Sequence, residues 1–147
     1  KLRRLQLHSL FINDISSLSR LSNLELLNLH CERVLNYKPV SNLVNIKVLS
    51  LGSTQLNFFT KFSKLEELSL RAGFDFEILE KFAKLKILKI NYGGQSEKLN
   101  NFINLKRLNK LELIFTPQKD PPLNKKGLKE LAIMLPDTEI YLKTRNW

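Results

Sequence analysis

The sequence predicts a strand-rich α/β solenoid: short parallel strands, one per repeat, stacked into one curved sheet, with irregular, 3-10 or short helical segments returning the chain between them. Three observations carry this. An apolar phrase Leu-x-x-Leu-x-Leu occurs six times, at Leu2, Leu5, Leu7; Leu24, Leu27, Leu29; Ile46, Leu49, Leu51; Leu65, Leu68, Leu70; Leu85, Leu88, Ile90; and Leu108, Leu111, Leu113. The copies start 22, 22, 19, 20 and 23 residues apart, too close together for a long helix in each return. Between the first two copies Ile12, Ile15, Leu18 and Leu21 recur every third residue, the period of a 3-10 helix. A single strand with two inward leucines cannot hold itself together, whereas stacked copies pair every strand and close one apolar interior.

Taken in order, the first four copies are the most regular. After Ile90, the segment Asn91-Tyr92-Gly93-Gly94-Gln95 reads as a turn, and Phe102, Ile103 and Leu105 rebuild the apolar return before Leu108. Pro117, Pro121 and Pro122 break the pattern. Asn124 then reads as the N-cap of a helix through Leu135, with Leu128, Leu131 and Leu135 on one face and Pro136 ending it. Residues 138–142 alternate like a last strand. All 147 residues are read as one domain, with repeats starting near 2, 24, 46, 65, 85 and 108 and a helix-strand cap over 124–145. The chain opens on Lys1 with the pattern already running at Leu2, so it is read as part of a longer protein.

Six phrases in one phase, closed by a helix, Leu135-Pro136 and a strand, resemble the leucine-rich repeat proteins, of the short bacterial, internalin-like type, over residues 2–145. The resemblance implies a right-handed superhelix without catalytic activity that recognises a partner protein on the concave face of its sheet. One departure stands out. Where that family usually carries Asn, Cys or Thr after the strand, this chain has Leu10, Glu32, Thr54, Gly73, Gly93 and Thr116. The backbone groups of those turns must therefore find threonine, water or other main-chain partners.

Residues between and just after the inward leucines point to the opposite face of the sheet. They form rows: Arg4, Gln6, His8; Leu26, Asn28, His30; Val48, Ser50, Gly52; Glu67, Ser69, Arg71; Ile87, Lys89, Asn91; Lys110, Glu112, Ile114; and, in the last strand, Glu139, Tyr141, Lys143. Leu26, Val48 and Ile87 place apolar side chains among charged ones, with Tyr92 and Phe115 near strand ends, the ordinary make-up of a protein-binding surface. His8 and His30 hold the same place in adjacent copies, so they come about 5 Å apart across the ladder, next to Cys31. Two imidazoles fall short of the three or four ligands a metal needs, and no metal or cofactor is expected. No Gly-x-Ser-x-Gly or phosphate-cradling glycine loop is present, and Glu66 and Glu67 face opposite ways, so no enzymatic role is expected.

The formal net charge is +10, and residues 81–147 hold 14 Lys and Arg against 6 Asp and Glu. Lys61, Lys64, Lys81, Lys84, Lys98, Lys106 and Arg107 recur near strand entrances as a basic flank. Two alternatives to protein binding follow: an electrostatic binder of nucleic acid or an anionic surface through the basic C-terminal half, or a recognition part of a larger enzyme or receptor. No aromatic stacking set interleaves with the lysines, so a solvated basic rim is the favoured reading of the flank. No apolar run approaches the ~18 residues of a membrane span. One cysteine and no Asn-x-Ser/Thr sequon lean toward a reducing compartment, the cytoplasm, or a bacterial source, with secretion left open.

Overall fold

Each phrase becomes a strand because its last two apolar residues fall on alternate positions and share one face of the pleat, with mostly polar or β-branched residues between them. A computed structural model of the chain describes residues 1–52, 58, 61–71, 76–91, 102–115 and 125–144. Its strands are β1 (Arg4–Ser9), β2 (Leu26–Cys31), β3 (Val48–Leu51), β4 (Glu67–Leu70), β5 (Ile87–Asn91), β6 (Lys110–Phe115) and β7 (Glu139–Thr144). They form one sheet in chain order, and every neighbouring pair is parallel. The register never slips: Leu5, Leu27, Leu49, Leu68, Leu88, Leu111 and Ile140 stand side by side across it. The uneven repeat lengths are thus absorbed in the returns, because a slip of one residue would turn a whole row of leucines into solvent.

The returns follow the three-residue period. Leu18 N–H donates to the Ile15 carbonyl, Leu21 to Leu18 and Leu24 to Leu21, at 2.9–3.0 Å. The second return repeats this as Val40 to Tyr37, Leu43 to Val40 and Ile46 to Leu43, each 3.1 Å. Phe82 to Leu79, Leu85 to Phe82, Leu105 to Phe102 and Leu108 to Leu105 continue it. Every third residue therefore points the same way, and this stripe packs on the inner row of leucines. Leu24, Leu27, Leu43, Ile46, Leu49, Phe62, Leu65, Leu68, Phe82, Leu88, Phe102 and Leu111 are all essentially inaccessible.

Strand entrances carry a second ladder. The Arg3 carbonyl accepts N–H bonds from both Glu25 and Leu26, and the Glu25 carbonyl from Lys47 and Val48. Lys47 accepts from Glu66 and Glu67, Glu66 from Lys86 and Ile87, and Lys86 from Asn109 and Lys110. The side chains on this ladder alternate in sign, and ion pairs follow: Arg3–Glu25 at 3.6 Å, Lys47–Glu25 at 3.1 Å and Lys86–Glu66 at 2.8 Å. Hydrogen bonding and charge from Lys47 and Lys86 hold the Glu25 and Glu66 carboxyls below their ordinary value.

At the C-terminal end, helix α1 (Lys125–Met134) falls between β6 and β7 in chain order and buries Gly127 and Leu131, with Leu135 buried just beyond it. Thr138 Oγ1 donates to the Leu108 carbonyl at 2.6 Å, tying the start of β7 to the repeat before it. Its expected cap Asn124 and the prolines 117, 121 and 122 lie outside the described residues. At the two outermost strands the inward side chains are less covered: Leu5, Leu7 and Ile140 are half-buried and Leu142 is exposed. Among the described residues no helix is long and apolar enough to cross a membrane.

The first turn shows how the chain manages without the family's amide. Ser9, one residue before the expected position, accepts the N–H groups of Phe11 and Ile12 at 3.1 and 3.2 Å, while Leu10 itself stands exposed. Thr54, Gly73, Gly93 and Thr116 fall outside the described residues.

Candidate functional site

The rows expected from alternation are present. Arg4, Leu26, Val48, Glu67, Ile87, Lys110 and Glu139 stand in register as one row; Gln6, Asn28, Ser50, Ser69, Lys89, Glu112 and Tyr141 form the next. His8 pairs with His30 at one end of a third row, and Asn91, Ile114 and Lys143 stand in register at the other. Gly52 and Arg71 immediately follow β3 and β4. Tyr92 lies outside the described residues.

Chemistry is not spread evenly over this face. On β4 to β7, Glu67, Lys89, Lys110, Glu112 and Lys143 are already paired. Lys89 binds Glu67 at 2.7 Å. Glu112 is taken by two cations, Lys110 at 2.7 Å and Lys143 at 3.0 Å. The alternation places Glu112 as a contact residue, yet only 6% of it is exposed, because the two lysine stems fold over it. The Lys110 hydrogen bond, the Lys143 hydrogen bond and both charges hold its carboxyl below the ordinary range against the opposing effect of burial. Tyr141 lies under the same cations, 4.8 Å from Lys110 Nζ and 5.9 Å from Lys143 Nζ, and donates its hydroxyl to Glu139 at 2.9 Å.

On β1 to β3 the polar groups are less satisfied. His8 and His30 sit with ring centroids 5.2 Å apart, the separation the repeat phase predicts. His30 Nε2 shares a 2.9 Å hydrogen bond with Ser50 Oγ. Burial, then the nearby His8 and Arg71, lower the His30 pKa and so favour the neutral ring. The Asn28 Oδ1 next to it is buried without a hydrogen-bond partner. Cys31 does not join the imidazoles: its thiol is buried and points to the Leu7 carbonyl at 3.9 Å. Among the described residues no group of three or more metal-binding side chains occurs. Arg71 extends from the end of β4 toward the histidines, and His8, His30, Gly52, Arg71 and Asn91 line a cleft of about 360 Å³.

Leu26, Val48 and Ile87 are half-buried on the same face. The basic flank also falls where the sequence places it: Lys61, Lys64, Lys81, Lys84, Lys106 and Arg107 are exposed, while Lys98 lies outside the described residues. Lys64 donates to Asn45 at 2.7 Å and Lys61 to Asn42 at 3.4 Å. The alternating ladder of Arg3, Glu25, Lys47, Glu66 and Lys86 escaped sequence reasoning. Its signal was there, since each occupies the first variable position of its phrase.

No family model and no curated protein matches the sequence. Among solved structures, internalin C2 from Listeria monocytogenes superposes with a TM-score of 0.64 over 97% of this chain, at 17% identity. The chain has the leucine-rich repeat fold. It spans 62% of that internalin's length. What the leucine-rich repeat architecture contributes here is a fixed lattice: in-register strands space the open-face side chains at the ~4.8 Å interval of the ladder. At that spacing Lys89 reaches Glu67, and His8 and His30 meet.

Proposed function

We propose that the open face of the sheet, the concave face in the resemblance, binds a partner protein and that this chain acts by recognition, not catalysis. The observation that carries this is the first row of the face, where Leu26, Val48 and Ile87 are only half-covered beside Arg4, Glu67 and Lys110. Apolar surface ringed by charge on a rigid sheet is what a partner's side chains can desolvate at small entropic cost. The likeness in fold to an internalin supports the reading. Binding of nucleic acid or an anionic surface is less favoured: Lys47, Lys86, Lys89, Lys110 and Lys143 are each held by a carboxylate, so a phosphate contact to any of them must first break an ion pair.

The test replaces Leu26→Gln, Val48→Thr and Ile87→Thr together, changes that remove apolar surface from the open face while keeping β-branched residues at 48 and 87. A partner captured from host extract, identified and purified, should bind the parent at low and high salt and lose at least about tenfold affinity for the variant. Undiminished binding by the variant, with its circular dichroism unchanged, places the partner elsewhere. Capture that disappears at high salt in the parent favours the electrostatic reading.

A further inference from the structure

We infer that the cleft at the end of strands β1 to β5, lined by His8, His30, Gly52, Arg71 and Asn91, receives a carboxylate side chain of the partner protein. This rests on the open face being the partner surface, and it names the chemistry one part of that surface selects.

Four features point to a carboxylate. The cleft is sized for it: about 360 Å³ holds an acidic side chain with attendant waters of ~30 Å³ each. Its donors converge and are available. Among the described residues Arg71 has no hydrogen-bond or ion-pair partner, whereas Lys89, Lys110 and Lys143 on the same face are committed to Glu67 and Glu112. A guanidinium offers two parallel N–H groups that match a carboxylate, with imidazole and amide donors beside it. Gly52 keeps the floor open, since a Cβ there would lie 3.3 Å from both His30 Cα and Nδ1. Finally, the exposed Leu10 at the rim gives an apolar shoulder for the chain that carries the acid.

The charge balance favours a monoanion over phosphate. Arg71 supplies one formal positive charge, and burial favours the neutral form of His30. The lining also contains Glu32 from the end of β2, which opposes a dianion more strongly than a monoanion. Glu32 is not among the groups that act on His30; those are burial, His8 from β1 and Arg71 from the end of β4. Asn91 from β5 and Ser50 from β3 are neutral, and the Cys31 thiol faces the interior. A bound carboxylate favours the imidazolium of His30, whose pKa burial holds below the ordinary imidazole value, so binding should strengthen as pH falls and weaken again only as the ligand itself protonates near ~4.

The experiment follows the two imidazole Cε1–H resonances of the chain by NMR during titration with N-acetyl-glutamate amide, its glutamine counterpart and inorganic phosphate. The glutamate compound should shift both resonances saturably, more tightly at about pH 6 than at about pH 7.5. Arg71→Gln, a change at an exposed side chain, should weaken that affinity about tenfold. Equal shifts by the glutamine compound, a response to phosphate alone, no response to any probe, or an Arg71→Gln variant that titrates like the parent would each overturn the inference. The Leu26→Gln, Val48→Thr, Ile87→Thr variant leaves the cleft in place. Failure of the partner-surface reading would therefore appear as retained capture by that variant, and failure of the carboxylate site as a silent titration.

Discussion

The two halves of the open face are built on one lattice and differ in what is left over. On β4 to β7, Glu67, Lys89, Glu112, Lys110 and Lys143 satisfy one another, and Tyr141 lies under two of the cations. On β1 to β3, His8 and His30 face each other and Asn28 Oδ1 is buried, and Arg71 reaches toward them from the end of β4; neither Asn28 Oδ1 nor Arg71 has a partner among the described residues. A surface whose polar groups are already matched offers a ligand little, because each contact must first break one. The half with unmet donors and acceptors gains by binding. The repeats therefore divide between a self-complementary part and a receptive part, although the buried leucines behind them are the same.

That shared backing sets the largest expected effect. Leu68, in the strand where the halves meet, is fully buried and stands between Leu49 and Leu88 in the inner row. Leu68→Asp places a carboxylate among leucines, and losing the side chain alone costs about 2–5 kcal/mol before the charge is counted. In a stack whose repeats touch only their neighbours, such a break removes the coupling of both sides. A thermal melt should lose the parent transition altogether. A variant melting like the parent, or retaining an intact β1 to β3 half by hydrogen exchange, would mean that the halves fold separately.

Next in size is Glu112→Gln, which tests whether the paired half is held by its own charges. The amide leaves Lys110 and Lys143 crowded over a neutral group, and the melting temperature should fall by about 5 °C at neutral pH. The sign with pH is fixed by the lowered pKa of Glu112. Its stabilisation is complete above the unfolded carboxylate value of about 4.3 and is lost as pH falls through the lower folded value. The gap between parent and variant should therefore be full at about pH 6 and narrow as pH falls below the unfolded carboxylate value. A constant gap would assign the effect to packing. Glu25 and Glu66, on the exposed flank, should show little of this, since open ion pairs are screened by water and salt.

The inner row was legible in the sequence because the leucines are constrained by both neighbours and the interior, so their phase repeats through spacings of 19 to 23. The His8 and His30 contact was legible for the same reason. Glu112 was not. Alternation puts it on the solvent side, and its burial depends on Lys143, supplied by a strand that follows the helix and carries no Leu-x-x-Leu-x-Leu phrase. The cleft was hidden in a similar way. Its parts come from β1 to β5 and the residues just after them, and only the register brings Arg71 toward two histidines, with no ion-pair partner among the described residues.

The smallest expected effect bears on the receptive half alone. Gly52→Ala changes one methyl group, and in a chain that tolerates it such a change stabilises by about 0.4–1 kcal/mol through the unfolded state. Here the new Cβ meets His30 Cα and Nδ1 at 3.3 Å, and the Cα belongs to a strand bonded on both sides, so only the ring can yield. Turning the ring strains its 2.9 Å bond to Ser50, which offsets the entropic gain. The melting temperature should therefore stay within a few degrees of the parent, while the imidazole response to N-acetyl-glutamate amide falls as the cleft closes. Stabilisation with an unchanged response would show that the glycine serves the turn after β3 and not the cleft, and the contrast between the two halves would then rest on Arg71 and the histidines alone.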